Sequence, residues 1–432
     1  VPLYYKESSS TYSSVHCIGE TFQKKHPWIY RSCHYQHLCF DVTEQEFVLF
    51  QSPQDGRLNR LLRGKRNLAH VSTLLTKTDQ NSVSIGGINV KWTWREGVPR
   101  LKWSPKVVTM TTTSEPLSYY EMNATWIPFH SMAGFNPGHL VWDDWLPIYT
   151  LLKMFQLHSS NLMLTRYILP GTSMWATCDF NDNNKQRCQS MFQKFLPLMN
   201  TTAFSTTRDY QLEEKVPNRT RFICAKHGLA GIGILTDHGI KTHGWEEDDY
   251  KYTHNHGRGT QLWDFRNFMI SNILGDSKPT EIQGPPFKIT FSIKSSHSER
   301  RGMDFAKQMH AVKSSLPKDL VEVQAYELKQ LSLEEQVRVA TESSVFISVC
   351  GGGAVTATFL PRDASIILYF DATGGAKDNI KTNTSARLDW DFFEHASYLR
   401  TNWLPTETMD NDKELEVLVE IVKHELDVLQ LY

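Results

Sequence analysis

The chain has 432 residues, which is more than one ordinary hydrophobic core accommodates, so we expect two domains. Its composition is globular, with 40% hydrophobic and 22% charged residues, and its net charge of −1 argues against a polybasic nucleic-acid-binding surface. No continuous apolar run of about 18 residues occurs, so no membrane span is predicted within these residues.

Cysteines are concentrated in the first half of the chain. Cys33 and Cys39 flank the segment CHYQHLC, which we expect to be a short turn, and Cys178 and Cys188 bracket the polar segment CDFNDNNKQRC. This clustering indicates an oxidising compartment in which disulfides close local loops. The sequence contains no CxxC pair, so a zinc ribbon is not expected. Buried free thiols in a cytosolic protein are the alternative.

Other features bear on the compartment. Because the chain begins at Val1 and not at Met, we expect a signal peptide or membrane anchor to precede it in the full-length protein. N-glycosylation sequons, which also arise by chance at this composition, begin at four positions: Asn123, Asn200, Asn218 and Asn383. We expect a protein of the secretory pathway, mostly because of its cysteine spacing.

The first 275 residues mix strand and helix signals. The segments CFDVTEQEFVLFQ and INVKWTWREG are β-rich, and helices are predicted over residues 137–157, 185–199 and 261–274. Residues 236–260 form a long polar loop with histidines at 238, 243, 254 and 256, whose spacing matches no tight metal site. We interpret this segment as a loop over a binding site.

Residues 135–149, FNPGHLVWDDWLPIY, place titratable groups in an apolar segment. Asn136 suits an N-cap and Pro137 the first helical position, so His139 falls in the first turn and shares a face with Asp143, four residues on. Pro147 should kink the helix near Asp143. Buried carboxyl groups are candidates for a base with a tuned pKa, so the candidate catalytic residues are His139, Asp143 and Asp144. A structural role, such as capping a loop or pairing with an arginine, is the alternative.

The segment GDSKPTEIQGPPF, residues 275–287, is the best linker candidate. After it, apolar strands alternate with helices: FKITFSIK, LVEVQAYEL, VFISVC and SIILYF are predicted strands, and Ser332 opens a helix as the first residue of a capping box with Glu335. This alternation predicts an α/β fold with a parallel sheet covered on both faces, a Rossmann-like half. Residues 410–432 form an amphipathic helix that could pack back on the N-terminal domain.

Two loops of this half suit a phosphate group. Glycines follow the strand VFISVC and open a short helix, so backbone N–H groups can approach a diphosphate. A basic turn follows the first strand, at the carboxyl end of a parallel sheet where ligands bind. The candidate donor-binding residues are Lys294, Ser295, Arg300 and Arg301 in the turn, and Gly351, Gly352, Gly353, Ala354, Val355 and Thr356 in the loop. A tight packing turn and a solvated basic turn are the alternatives.

With these residues, the chain resembles glycosyltransferase family 61. That family has a motif N-x-x-H-x-x-x-D-D-x-x-P, matched by Asn136, His139, Asp143, Asp144 and Pro147. A second motif, E-Q followed by a strand and H-G-A-G-L-T-N-x-x-F-L-P, is matched by Glu335, Gln336, Gly351, Gly353, Phe359, Leu360 and Pro361. Arg300 and Asp304 occupy the places of the family's R-x-x-x-N. The resemblance spans roughly residues 30–370.

Several positions of these motifs depart from the family pattern, three of them at a histidine or an asparagine of the family. Cys350 replaces the histidine before the glycines, Thr356 replaces an asparagine, and Asp304 replaces another. These changes leave the identity of the donor open, together with the alternative of an inactive relative. Cys350 is the odd thiol, and the remaining six cysteines would then form three disulfides in the N-terminal domain, with 15 open connectivities. They are Cys17, Cys33, Cys39, Cys178, Cys188 and Cys224.

The resemblance implies a GT-B fold, with two Rossmann-like domains facing across a cleft. Residues 1–275 would form the acceptor-side domain, 285–405 the nucleotide-sugar-binding domain, and 410–432 the final helix. It implies an inverting glycosyltransferase of the Golgi or endoplasmic reticulum lumen, type II anchored, that moves a sugar from a UDP-linked donor to a glycan or protein hydroxyl. No obligatory metal and no nucleic acid are expected, and Asp143 is the first choice of base. A non-catalytic relative that binds glycans or nucleotides, and a nicotinamide-dependent oxidoreductase with Asp371 as ribose clamp, are the alternatives.

Overall fold

A computed structural model describes most of the chain, in two compact units. The described residues are 5–8, 12–19, 27–51, 82–86, 102–109, 119–131, 133–158, 160–167, 178–201, 204–206, 220–232, 235, 255–275, 281–282, 284–295, 303–370 and 387–430. The N-terminal unit comprises Val1–Phe135 and Asp143–Thr242, and the C-terminal unit comprises Asn136–Trp142 and His243–Tyr432. The predicted strand INVKWTWREG and most of the histidine loop lie outside the described residues.

The N-terminal unit is built on strands and two α-helices. The strands are β1 Tyr5–Ser8, β2 Ser14–Gly19, β3 Arg31–Asp41, β4 Glu46–Gln51, β5 Val83–Ser84, β6 Lys102–Trp103, β7 Lys106–Thr109, β8 Tyr119–Phe129, β9 Leu162–Arg166, β10 Phe204–Thr206 and β11 Phe222–Ala230. The helices are α1 Leu146–Met154 and α2 Asp182–Phe195, with 3-10 turns at Pro27–Tyr30 and Leu196–Met199 and a π-helix at His139–Trp145 that leads into α1. Helices were predicted over most of these residues.

The main N-terminal sheet runs β10-β9-β8-β11-β3-β4-β7, with β1 on β8 and β2 on β3. It mixes parallel pairs, such as β8 with β9, and antiparallel pairs, such as β3 with β11. One face carries a core that includes Tyr35, Trp126 and Ala225, whose alternation along each strand directs their side chains to the same side. The observed fold is α/β with parallel strand pairs, as predicted.

Three disulfides close the N-terminal unit: Cys17–Cys33, Cys39–Cys224 and Cys178–Cys188. They use the six predicted cysteines, and Cys350 is a buried free thiol. The expected turn between Cys33 and Cys39 is wrong, because both residues lie in the eleven-residue strand β3 and bond to neighbouring strands β2 and β11. Cys178–Cys188 is a local bond, as predicted, but the segment that it closes is not all loop, because residues 182–188 form the start of α2.

The C-terminal unit is a parallel α/β sheet. Its strands are β12 Phe287–Ser292, β13 Val321–Tyr326, β14 Val345–Val349, β15 Ala364–Phe370 and β16 Leu399–Pro405. Its helices are α3 Gly259–Leu274, α4 Ala306–Ser315, α5 Leu333–Thr341, α6 Arg387–Phe393 and α7 Asp412–Gln430, with 3-10 turns at Leu328–Gln330 and Ala354–Phe359. Every neighbouring strand pair is parallel, which confirms the prediction from the apolar strands and the capping box of Ser332.

Helices α3 and α7 both pack on the C-terminal sheet, although α3 precedes the predicted linker in the chain. Arg266 on α3 is fully buried and donates to the carbonyl oxygens of Leu360 (2.9 Å) and Phe359 (3.0 Å), so residues 259–274 pack with the C-terminal sheet. The last helix, α7, also packs on that sheet, because Leu418 and Val422 belong to its core. No helix in the described part of the chain is long and apolar enough to cross a membrane.

Candidate active site

The strand order of the C-terminal sheet indicates where a ligand would bind. The order is β13-β12-β14-β15-β16, so the direction of chain progression reverses between β12 and β14. Open parallel sheets bind ligands outside the carboxyl ends of the strands at such a switch point. Ser292 ends β12, and the three glycines 351–353 follow β14. The glycine loop and the turn after β12 therefore lie at the expected place.

The glycine loop is closely packed. Gly351 has φ +121°, a conformation that side chains rarely adopt. A Cβ atom added to Gly353 would lie 2.4 Å from the Ser295 Cβ and 2.9 Å from the Ser292 Oγ. A Cβ added to Gly352 would lie 3.2 Å from the Pro137 Cγ. Glycine at these positions therefore lets three other segments approach the loop backbone.

Ser292, at the end of β12, lies beside the glycine loop and was not among the residues predicted from the sequence. It is 1% exposed, and its Oγ has no hydrogen-bond partner in the described part of the chain. A buried hydroxyl without a partner is unfavourable by about 1–3 kcal/mol, and such groups are rare in folded proteins. The hydroxyl lies against Gly353, so a ligand oxygen over the loop would satisfy it. The sequence signal that could have revealed Ser292 is a serine at the end of a predicted strand, with a lysine two residues later.

The predicted basic turn is described only in part. Lys294 is exposed, has φ +48°, and its backbone N–H donates to the Met303 carbonyl (2.8 Å), so the chain turns back at this residue. The pKa of Glu327 is lowered first by Lys329, and Lys294 contributes to the same shift. Lys294 therefore lies close to Glu327 at this end of the sheet. Arg300 and Arg301 lie outside the described residues.

Ala354, Val355 and Thr356 form the start of the 3-10 helix Ala354–Phe359 and are buried. The Thr356 Oγ1 donates to the Gln336 Oε1 (3.3 Å), and Gln336 in turn donates to the carbonyl oxygens of Leu328 and Leu331. The side chains of these three residues therefore pack in the interior of the unit. Glu335, the other member of the E-Q pair, completes the capping box of α5.

An acidic residue that sequence reasoning did not find contacts the glycine loop. Asp389 on α6 is 3% exposed, and its Oδ1 accepts a hydrogen bond from the Gly351 N–H (3.0 Å). The Gly351 amide is thus used within the protein, and a ligand anion would meet Gly352 and Gly353 instead. The segment between β15 and α6 carries no motif that would have revealed this contact.

The structure brings the first half of the histidine motif into the C-terminal unit. The Asn136 Oδ1 accepts from the Gly138 N–H (3.0 Å), which confirms the predicted N-cap. Pro137 packs on Gly352, and the Trp142 Nε1 donates to the Thr358 Oγ1 (3.1 Å) while its ring stacks on Phe392. His139 lies between these anchors and is 9% exposed. This segment therefore belongs to the same compact unit as the glycine loop.

The helix itself differs from the predicted one. His139–Trp145 is a π-helix, and α1 continues it with Pro147 near its start. In place of the predicted kink near Asp143, the chain forms a wider, π-helical turn. Pro147 has no N–H to donate to the Asp143 carbonyl, so a regular α-helical hydrogen bond is missing there. His139 is grouped with the C-terminal unit and Asp143 with the N-terminal unit.

Asp143 and Asp144 are both buried in the N-terminal unit, at 1% and 4% exposure. The Asp144 Oδ2 accepts a hydrogen bond from the Ser131 hydroxyl (2.5 Å). Burial raises the pKa of Asp144 well above its usual range; the Ser131 bond lowers it and the Asp143 charge raises it further. The Arg166 guanidinium, which forms a two-pronged bond to Asp179 (2.9 and 2.8 Å), also lowers the pKa of Asp144 by its positive charge. Two neighbouring carboxyl groups with different surroundings can take different protonation states.

The remaining predicted residues have simpler positions. Asn123 on β8 and Asn200 after the 3-10 turn Leu196–Met199 are exposed, whereas Asn218 and Asn383 lie outside the described residues. Of the loop histidines, His256 is described, and it packs edge-on against His395. In the described residues, three potential metal-binding atoms converge at His37, Cys39 and Cys224, but both cysteines form a disulfide.

Comparison with known proteins gives one distant relationship. Over 361 residues the chain is 20% identical to the protein O-linked-mannose β-1,4-N-acetylglucosaminyltransferase 2 of the dog, Canis lupus familiaris. The chain is distantly related to a glycosyltransferase. The match covers 82% of this chain and 51% of the relative, so the chain spans about half the length of the curated relative that it matches. No protein-family model matches the chain.

Proposed function

We propose that this chain is an inverting glycosyltransferase that uses a nucleotide-sugar donor, UDP-linked in our first choice, and a hydroxyl of a glycan or protein as acceptor. The observation that carries the proposal is the unpartnered Ser292 hydroxyl beside Gly353 at the switch point of the parallel sheet. The distant glycosyltransferase relative supports the same reaction class. The GT-B arrangement and a location in the lumen of the secretory pathway, to which the three disulfides are suited, stay predictions.

The donor diphosphate would lie over Gly352 and Gly353. The Ser292 hydroxyl would donate to a phosphate oxygen, and Lys294, with Arg300 and Arg301 from the same turn, would supply positive charge for the leaving nucleoside diphosphate. Charge at this position stabilises the leaving group without proton transfer. A bound metal ion is not required for that role, although a metal could share it.

The acceptor needs one base. Inversion requires a single displacement, in which the acceptor oxygen bonds to the anomeric carbon as the bond to the diphosphate breaks, and the hydroxyl proton passes to a carboxylate. We propose Asp143 as that base. Its neighbour Asp144 holds a proton more readily than an ordinary aspartate, because burial raises its pKa. The protonation state of Asp144 would change the electrostatic potential at the Asp143 carboxyl group. His139 is the second choice for the base.

Donor binding is tested by measuring thermal unfolding with UDP, GDP, CMP and NAD, each with and without EDTA. A ligand at 100 times its dissociation constant stabilises the folded state by about 2.7 kcal/mol. We expect stabilisation by UDP that survives EDTA. Stabilisation by NAD, or by none of the four, would contradict the proposal, and binding of UDP without turnover of any UDP-sugar would mark a non-catalytic relative.

Two matched glycine variants locate the binding. Gly353→Ala places a Cβ against Ser292 and Ser295 and should abolish the UDP effect. Gly284→Ala, in the same unit, adds a Cβ that meets nothing within 4 Å and should leave the effect unchanged. Equal UDP binding by both variants would place the nucleotide elsewhere.

A further inference from the structure

Three histidines lie on one face of the N-terminal sheet, on three adjacent strands. In the β2–β3 register His16 is directly opposite His34, and in the β3–β11 register His227 is opposite Gln36, two residues from His34. The neighbours Val15 and Cys17 pack on the core on the other side of the sheet. Since side chains alternate along a strand, the three imidazole rings share the face opposite that core.

Two of these rings already meet. The His34 Nε2 and the His227 Nδ1 are 2.9 Å apart, and the ring planes are inclined by 33°. Two histidine nitrogens bound to one tetrahedral zinc ion, at 2.0–2.1 Å each, are about 3.3 Å apart. The rings would therefore separate by a few tenths of an ångström to admit such an ion.

A third nitrogen is within reach. Directly opposite residues of antiparallel strands have Cβ atoms about 4.5–5.5 Å apart, so the His16 ring can turn toward the His34 ring. His16 is exposed and now lies edge-on to Phe155, which also packs on His34. The tetrahedral ion would then have three nitrogen ligands and one open position, the pattern of zinc sites that hold a water molecule.

A second observation indicates an unfilled polar position beside the pair. Thr125 on β8 is the register partner of His227 and points to the same face, because Ala124 and Trp126 pack on the opposite core. The Thr125 hydroxyl is buried and has no hydrogen-bond partner in the described part of the chain. A metal-bound water would supply one.

The electrostatic surroundings keep the imidazoles ready to bind a cation. Burial, together with the neighbouring His227 and His16, lowers the pKa of His34 to about 4. Burial, followed by Lys226, lowers the pKa of His227. The neutral imidazole is the form that ligates metals. The proton between the facing nitrogens moves to the far nitrogen of its own ring on metal binding, and none is released.

We propose that His16, His34 and His227 form a binding site for a divalent transition metal ion of the zinc type. Imidazole nitrogens favour Zn²⁺, Cu²⁺ and Ni²⁺ over Mg²⁺ and Ca²⁺. The site stands on the N-terminal sheet and uses none of the residues proposed for donor binding or for the base, so it holds whether or not the chain transfers sugars.

The test is metal titration of the full chain without a polyhistidine tag, after dialysis against a chelator. Zn²⁺ binding is followed by competition with a chromophoric chelator, and Co²⁺ binding by the visible absorption of tetrahedral cobalt. We expect one equivalent per chain, and an affinity lower by about 10-fold or more in each of His34→Gln, His227→Gln and His16→Gln. His424→Gln, an exposed histidine on α7, is the control and should bind as the unchanged chain does.

Folding of each variant is checked by circular dichroism, and Thr125→Val serves as a variant that keeps all three ligands. It should retain one equivalent of metal with an altered cobalt spectrum, because the bound water loses its partner. Absence of zinc binding by the unchanged chain would overturn the proposal. So would binding that persists in the folded His34→Gln/His227→Gln double variant, since the ion would then sit elsewhere.

Discussion

The carboxyl group of Asp144 lies in the interior of the N-terminal unit, with the Ser131 hydroxyl as a donor and Asp143 beside it. Because its pKa is raised in the folded protein, the folded state keeps a proton that the unfolded chain releases above a pH of about 4. The stability contributed by this proton is complete below that pH. It is lost as pH rises through the raised pKa, so burial of this carboxyl group opposes folding at higher pH.

We therefore expect Asp144→Asn to stabilise the N-terminal unit at pH 7, because the amide removes the group whose ionisation burial disfavours. The difference should vanish near pH 3. Urea unfolding from pH 3 to pH 8 measures it. Asp179→Asn, which breaks the two-pronged bond to Arg166, should destabilise instead. A constant effect of Asp144→Asn at every pH would show that its charge is not the cause.

Asp143 is expected to act on turnover and not on donor binding. Asp143→Asn keeps the size of the side chain but removes the proton acceptor, so kcat should fall by about 10²- to 10⁴-fold. The affinity for UDP, which we propose to bind residues of the C-terminal unit, should stay unchanged. Steady-state kinetics with a UDP-sugar and an acceptor measure the first, and calorimetry with UDP the second. Unchanged kcat would pass the role of base to His139.

Ser292 should act on donor binding. Ser292→Ala removes the hydroxyl that we propose as a phosphate donor, and a hydrogen bond to a charged group is worth about 1.5–3 kcal/mol, so UDP affinity should fall by about 10- to 100-fold. The control is Ser343→Ala at the amino end of β14, where the hydroxyl bonds to the Val339 carbonyl. That variant should lose stability and keep UDP affinity. Equal affinities for the two variants would remove Ser292 from the site.

At the scale of elements, helix α3 is fixed to the segment after the glycine loop by one buried cation. Arg266 is held by carbonyl oxygens and by the Trp263 ring at 4.7 Å, and burial lowers its pKa to about 10. Its position explains why α3 belongs to the C-terminal unit, although the Gly- and Pro-rich stretch after residue 275 predicts a boundary there.

We expect Arg266→Met to destabilise the C-terminal unit by about 2–4 kcal/mol, because two buried carbonyl groups lose their donor. Arg362 lies over the same Trp263 ring at 5.0 Å but is exposed, so Arg362→Met should change stability by less than about 0.5 kcal/mol. Denaturant unfolding of both variants makes the comparison. Similar effects would mean that stacking on Trp263, not the carbonyl bonds, holds α3.

The sequence predicted elements well where one local rule dominates. The apolar strands β12, β14 and β15 indicated a parallel sheet, and Ser332 with Glu335 indicated the start of α5, because burial on both faces and end capping are local properties. It failed between Cys33 and Cys39, where the segment is part of one long strand despite the positive φ at His37, and only the partner strands fix the pairing. Ser292 and Asp389 could not be found, because contacts across the fold decide their roles.

At the scale of the whole molecule, the disulfides are confined to the N-terminal unit in the part of the chain that the structure describes. Their sequence separations differ greatly, at 185 residues for Cys39–Cys224 and 10 for Cys178–Cys188. Closing a longer loop removes more entropy from the unfolded chain. The bond between β3 and β11 should therefore contribute most.

Replacing both cysteines of a pair by alanine tests this. We expect a loss of about 5 kcal/mol for Cys39→Ala/Cys224→Ala and about 3 kcal/mol for Cys178→Ala/Cys188→Ala, by loop length alone. Hydrogen exchange should show faster opening in the N-terminal unit and unchanged protection of β12, β14 and β15. Loss of protection in those strands would show that the two units unfold together.

The seven residues Asn136–Trp142 belong to the C-terminal unit, while the chain on both sides of them belongs to the N-terminal unit. During translation this segment therefore leaves the ribosome long before the C-terminal residues that contact it have been synthesised. Trp142 acquires the Thr358 hydroxyl and the Phe392 ring only when α6 has emerged. Until then Trp142 lacks both of these contacts. The packing of the histidine motif is thus completed only after most of the C-terminal unit has been synthesised.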